Sequence, residues 1–182
     1  MKLVAHDIVL VGSRVTLRPL MESDWSTLLA WNNDPEILHY TEGEGVIGYD
    51  VAEVQQIYRG VSQSAYCFMA EIERRPIGEC WLQDMNVERI LQQHQNEDCR
   101  RIDLMIGDKR YWRRGLGTEM ITLLTDFAFA RERADAVFGC EIADYNVASI
   151  RAFQKAGYAV AAKIEQPAES SARYRWDLAT KR

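Results

Sequence analysis

Arg110-Tyr111-Trp112-Arg113-Arg114-Gly115-Leu116-Gly117-Thr118 is the stretch on which the reading of this sequence turns. It joins a segment of strand character, Arg101 to Ile106, to a long helical pattern running from Gly117 to Arg133. Glycine lets a backbone come close to an anion, and the first turn of a helix presents unpaired N–H groups and the positive end of its dipole. A pyrophosphate suits such a place, and Arg113 and Arg114 add positive charge. A turn that merely starts a helix accounts for Gly-x-Gly equally well, because so short a pattern has little specificity. The decision therefore falls to the segments on either side.

On the N-terminal side, Arg14 to Leu20 alternates apolar and polar residues and predicts a strand. Ser23 caps a helix carrying Trp25, Leu28 and Leu29, which Asn33-Asp34-Pro35 ends, and the glycine-rich Thr41 to Gly48 is a loop. Asp50 with Glu53 forms a capping-box pattern ahead of a helix whose apolar face is Val51, Val54, Ile57, Tyr58 and Val61. Tyr66 to Ile72 and Ile77 to Gln83 predict a hairpin turned by Glu73-Arg74-Arg75-Pro76, and the polar stretch Asp84 to Arg100 predicts a loop or frayed helix. In Arg101 to Ile106, strand alternation sets Ile102, Leu104 and Ile106 on one face and Asp103 with Met105 on the other. On the C-terminal side come a buried strand Val137 to Ile142, a helix Val147 to Lys155, and strands Tyr158 to Ile164 and Arg173 to Leu178. This order predicts one α/β (α+β) domain over residues 1–182, a mixed sheet with helices on both faces.

The segment Asn146-Val-Ala-Ser149-Ile-Arg151-Ala-Phe153-Gln-Lys155-Ala-Gly157-Tyr158 tips the balance. Together with the glycine turn it resembles the acetyl-CoA signature of the GNAT superfamily of N-acetyltransferases, both elements standing in order and at the expected separation. The opening RVTLRPLMESDW…WNNDPEI and Tyr111-Trp112 look like the branch that holds the ribosomal-protein N-acetyltransferases and the aminoglycoside 6′-N-acetyltransferases. The resemblance covers nearly the whole chain. It implies a mostly antiparallel central sheet and direct transfer of an acetyl group from acetyl-CoA, the cosubstrate, to a primary amine. By it, backbone N–H groups from Arg113 through Gly115 and Gly117 to Thr118 hold the pyrophosphate, Asn146 hydrogen-bonds the pantetheine arm, and Ser149 lies beside it. The backbone at Ile106 and Gly107 polarises the thioester carbonyl.

Asp103 resembles the aspartate of the G-I-D-x-L-L strand of the aminoglycoside enzymes, which faces the reacting amine. A primary ammonium must lose a proton before it can attack, and a nearby carboxylate serves both to bind it and to accept that proton. By residue type alone Asp103 is equally a solvated strand carboxylate, and Asn146 equally a helix cap. Two positions depart from the family pattern. Trp112 stands where glutamine or arginine is usual. Phe153 stands where a tyrosine often protonates the departing thiolate, and a phenyl ring has no proton to give. Aminoglycoside-like aminosugars rank first among acceptors, then a protein N-terminus, then small polyamines; a non-catalytic acetyl-CoA-binding module is the rival reading.

Composition narrows the field further. The formal charge of −5 without a basic stripe argues against nucleic acid. No apolar stretch approaches the roughly 18 to 20 residues of a membrane span, and MKLVAHDIVLVGSR carries no cleavage site, so a cytoplasmic chain is expected. Cys67, Cys80, Cys99 and Cys140 are scattered, as are His6, His39 and His94, so free thiols and no metal site are expected. Monomer and homodimer are both left open.

Overall fold

The computed structural model describes residues 1–182. The chain opens with β1 (Leu10–Val11) and β2 (Thr16–Pro19), followed by α1 (Trp25–Trp31), α2 (Pro35–Thr41) and α3 (Val51–Val61). A hairpin of β3 (Ala65–Ile72) and β4 (Arg75–Asp84) leads through α4 (Glu88–Gln93) to β5 (Cys99–Met105). Then come α5 (Leu116–Ala130), β6 (Ala136–Ala143), α6 (Val147–Lys155), β7 (Ala159–Glu165) and β8 (Tyr174–Lys181). The eight strands form one sheet in the order β1-β2-β3-β4-β5-β6-β8-β7. Every neighbouring pair is antiparallel except β5 and β6, which run parallel and are registered only over Cys99–Arg101 against Ala136–Phe138. Beyond those residues the two strands part.

Helices cover both faces. On one, α5 and α6 bring Leu116, Met120, Ile121, Leu124 and Phe153 onto Leu82, Ile102, Val137 and Leu178. On the other, α1 and α3 bring Trp25, Leu28, Val54 and Tyr58 onto Cys67 and Met69. Each such fully buried side chain contributes roughly 1.5–3 kcal/mol, so the two apolar layers fix the sheet between them. The expected capping box is present at α3: the Asp50 carboxylate accepts the N–H groups of Ala52 and Glu53 at 2.8 and 2.9 Å, and Glu53 accepts that of Asp50 at 2.7 Å.

Two elements, α2 and β1, go beyond the sequence reading, and α4 decides between the loop and the frayed helix it left open. Asn33-Asp34-Pro35 ends α1 as expected and also starts α2. Asp34 caps it through the N–H groups of Glu36 and Ile37, and Pro35 stands in the first turn, where its missing N–H has no cost. The polar segment after β4 resolves into α4, which buries Ile90 with Phe138 and Cys140. The short β1 pairs with β2 at the sheet edge. No helix is long and apolar enough to cross a membrane.

Candidate active site

The glycine turn places two residues in the left-handed region. Arg113 sits at φ 60° and Gly115 at φ 76°, both left-handed, so the backbone reverses twice before α5 begins. Alternation of this kind points successive N–H groups to one side, at the positive end of the helix. Gly115 is the cap residue of α5, and a side chain there meets the left-handed penalty. Gly117 is different. A Cβ on it would stand 3.6 to 3.9 Å from Leu104, Ile106 and Ala152, ordinary contact distances, so nothing in the folded chain requires glycine there. Its bare side faces Leu104 and Ile106 at the end of β5 and Ala152 of α6.

Two anchors hold the turn. The Trp112 indole N–H donates to the Ile106 carbonyl at 2.7 Å, tying the turn to the end of β5. Arg14 donates to the Arg114 carbonyl at 2.8 Å and pairs with Glu119, whose carboxylate also accepts the N–H groups of Arg14 and Val15. Those backbone donors hold the Glu119 carboxyl below its usual range against the opposing effect of burial. Trp112 thus has a side-chain task that a reading of backbone contacts alone does not supply.

On the opposite face of β5, Asp103 is held rather than loose. Gln83 donates to one carboxylate oxygen at 2.6 Å and Arg101 to the other at 2.8 Å, with a quarter of the side chain exposed (25%). In register, Asp103 lies opposite Trp81, and Met105 lies opposite Glu79. Glu79 is almost fully buried, at 5% exposure, and its Oε2 has no hydrogen-bond partner. Burial first, and then the Asp103 charge, push its carboxyl up to about 8, against a smaller opposing effect of the Tyr58 hydroxyl. Further along the parted strands, Glu141 occupies a bulge of β6 at φ 56°, where its N–H donates to Asp177 at 2.8 Å. Asp177 is buried and bound through both oxygens by Arg89.

The family profile described as Acetyltransferase (GNAT) domain matches residues 14–159 of this chain. The protein belongs to the GNAT acetyltransferase family. Solved structures agree on the fold. A GNAT-family acetyltransferase from Bacillus anthracis superposes with a TM-score of 0.76 at 14% identity, covering 96% of this chain and 98% of that one. The aminoglycoside acetyltransferase AAC(6')-Ib, in complex with ribostamycin and coenzyme A, gives 0.77 at 22% identity, covering 93% and 94%. Spermidine N-acetyltransferase from Vibrio cholerae, in complex with CoA and spermine, gives 0.72 at 16% identity, covering 92% and 94%. The chain is thus an acyltransferase with the mostly antiparallel sheet that the sequence led one to expect.

In this acetyltransferase the residues singled out in the sequence fall into one region around the parted strands. Ile106 follows the end of β5 with its carbonyl engaged by Trp112, Arg113 and Arg114 are exposed on the turn, and Thr118 lies in the first turn of α5. Asn146 caps α6, its side-chain oxygen accepting the Ser149 N–H at 3.1 Å, while its amide donates to the Tyr40 carbonyl at 3.2 Å. Asn146 therefore ties α2 to α6 as well as capping. Phe153 lies in the core. It is buried against Tyr158, ring centroids 5.0 Å apart, and beneath Gly139, where a Cβ would collide with the phenyl ring. All four cysteines are free and buried, and burial pushes the Cys140 thiol up to about 12, so it is no nucleophile at neutral pH.

His94, Glu97 and Cys99, distant from the turn, bring one ligand-type atom each within 4.8 Å of one another. The three stand within six consecutive residues, a spacing that matches no Cys-x-x-Cys or paired-His pattern. Lys181 holds both Glu97 oxygens at 2.9 Å and His94 contacts one of them at 2.9 Å, which accounts for the carboxylate. Glu79, Arg101 and Asp177 are the residues of the region that sequence reasoning missed, and Trp112 was read there without its anchoring bond. Only Glu79 left a signal, as a lone acid inside the apolar run Ile77-Gly78-Glu79-Cys80-Trp81-Leu82.

Proposed function

We propose that this chain transfers the acetyl group of acetyl-CoA directly to a primary amine of a small polycationic acceptor in the cytoplasm, an aminoglycoside 6′-amino group being the first choice. The observation that carries this reading is Asp103, a partly exposed carboxylate on the strand that ends at the glycine turn, oriented from both sides by Gln83 and Arg101. Its face of the sheet is the one away from α5, so acceptor and cosubstrate approach the parted strands from different sides.

The residues fit acetyl-CoA on one physical ground in particular: a Cβ on Gly117 would meet only ordinary contacts with Leu104, Ile106 and Ala152, so the folded chain itself has no need for glycine there. Backbone N–H groups from Arg113 through Gly115 and Gly117 to Thr118 take the pyrophosphate, Asn146 and Ser149 flank the pantetheine, and Ile106 borders the thioester. Asp103 binds the acceptor's ammonium and takes one proton from it. The freed nitrogen lone pair attacks the thioester carbonyl carbon, the C–N bond forms, and the C–S bond breaks with its electron pair on sulfur. The amide nitrogen loses a second proton and the thiolate gains one, so one proton is released per turnover. With Phe153 in the core, that proton reaches sulfur from water, which a thiol of ordinary pKa near 8.5 tolerates.

Support for the acceptor class comes from the aminoglycoside and spermine bound by two proteins of the same fold. The test is CoA release measured over aminoglycosides, spermidine and spermine, and ribosomal-protein N-terminal peptides. Turnover with an aminoglycoside at least tenfold above the others is expected. Preference for a peptide N-terminus replaces the acceptor, and no turnover with any amine overturns the reading.

A further inference from the structure

Glu79 is a carboxyl that this fold buries without a counter-ion. It occupies the last registered pair of the β4–β5 ladder, opposite Met105, and Asp103 is its diagonal neighbour on the same face. Diagonal neighbours on antiparallel strands stand within reach of each other's charge. From β3 it is flanked by Met69 and the thiol of Cys67, and from α3 it is covered by Tyr58, while Cys80 beside it on β4 packs into the opposite face. The Tyr58 hydroxyl accepts from Asn32 at 3.3 Å. The cations of this face are spent elsewhere, Arg101 on Asp103 and Arg18, in register with Met69, on Asp24 and Glu71. A carboxyl so placed cannot stay ionised cheaply, since desolvation and a like charge both oppose it.

We propose that Glu79 is a second, proton-holding carboxyl of the acceptor cleft that acts through Asp103, adding a negative charge to the acceptor site as it ionises. The proposal rests on the amine-acceptor reading. Below this ionisation, Asp103 and Arg101 present a nearly neutral ion pair to an incoming ammonium. Above it, the wall gains a net charge of one while most of an alkylamine is still protonated, so the cation is captured more tightly. Burial and the Asp103 charge place that change at about pH 8. Glu79 is thus a positioning residue that sets the pH at which the amine binds; Asp103 remains the group that touches it.

The test compares wild type with Glu79→Gln, which imitates the protonated form in shape and charge. For one acceptor, the ratio of the two kcat/KM values is taken from pH 6.5 to 9.5, so that the acceptor's own titration cancels. The ratio is expected to lie within about twofold of one at pH 6.5 and to rise about tenfold by pH 9.5, the scale of one nearby charge, with the change in KM. A flat ratio overturns the proposal while leaving the amine reading intact. Absence of turnover with every amine in wild type overturns both. Should Glu79→Gln fail to fold, carbon-13 NMR of glutamate carboxyls in the wild type decides the matter: one resonance titrating near pH 8 and moving on spermine addition is expected, and none above pH 7 overturns the proposal.

Discussion

Asp103 and Phe153 bear opposite relations to the reaction, and single substitutions separate them. Asp103→Asn keeps shape and hydrogen-bonding capacity but removes charge and basicity, so kcat/KM for the amine should fall about 10²- to 10⁴-fold near neutral pH. The deficit should shrink as pH approaches the amine's own pKa near 10.4, and acetyl-CoA affinity by calorimetry should stay within about twofold. Equal pH profiles would reduce Asp103 to a strand carboxylate. Phe153→Leu, by contrast, removes ring volume from the core beneath Gly139. Its cost should fall on stability, about 1–3 kcal/mol in urea unfolding, with kcat changed by about tenfold or less. A collapse of kcat by several orders of magnitude in the folded variant would give the ring a chemical role. Glu79 adds a stability effect whose sign is fixed. Its folded-state pKa lies above the unfolded value of 4.5, so the native state binds more protons between them and stability falls as pH rises from 4.5 to about 8. Melting temperatures of Glu79→Gln and wild type should therefore diverge in favour of the variant across that window; parallel curves would show that Glu79 titrates normally.

At the scale of elements, the turn from Trp112 to Gly117 and the helix it starts can be tested as a unit. Gly117→Val adds a Cβ that the folded chain accommodates at ordinary contact distances, with two methyl groups beyond it at the start of α5. The variant should melt within a few degrees of wild type yet bind acetyl-CoA at least tenfold more weakly by calorimetry; unchanged affinity would remove the phosphate from the turn. The elements whose signals are local were legible in the sequence. A capping box wrote α3, an apolar periodicity wrote α5, and Asn146 with its helical face wrote α6. What failed was punctuation with two meanings: Asn33-Asp34-Pro35 stops one helix and starts the next, and only the stop was legible. At α4 the polar composition left loop and frayed helix both open, because the helix buries little beyond Ile90. The candidate site divides the same way. Its glycines, Asn146 and Asp103 belong to contiguous motifs. Glu79 acquires meaning only from pairing across strands, with Met105 opposite and Asp103 on the diagonal, while the Arg101–Asp103 pair and the Trp112 bond to the Ile106 carbonyl are local contacts that residue type alone does not announce.

For the whole molecule, the decisive dimension is the three-residue parallel register between β5 and β6. It joins β1 through β5 to β6 through β8, and the facing edges beyond Arg101 and Phe138 have no ladder partner in each other. α5 and α6 bridge the two halves from one face through Leu116, Met120, Ile121 and Phe153. A molecule that wedges into the opening stabilises the native state by mass action, about 2.7 kcal/mol at a hundredfold excess over Kd. For a domain of this size that is roughly 5–10 °C in melting temperature, and no shift with acetyl-CoA would argue against the opening as its seat. An interrupted ladder also leaves a record in time. Amides in stable strands exchange with deuterated water only when the protein opens, whereas unpaired ones exchange without waiting for it. In peptides covering residues 102–106 and 139–142, the amides that face the opening should take up deuterium well before those laddered to β4 and β8, and acetyl-CoA should slow them toward the pace of their neighbours.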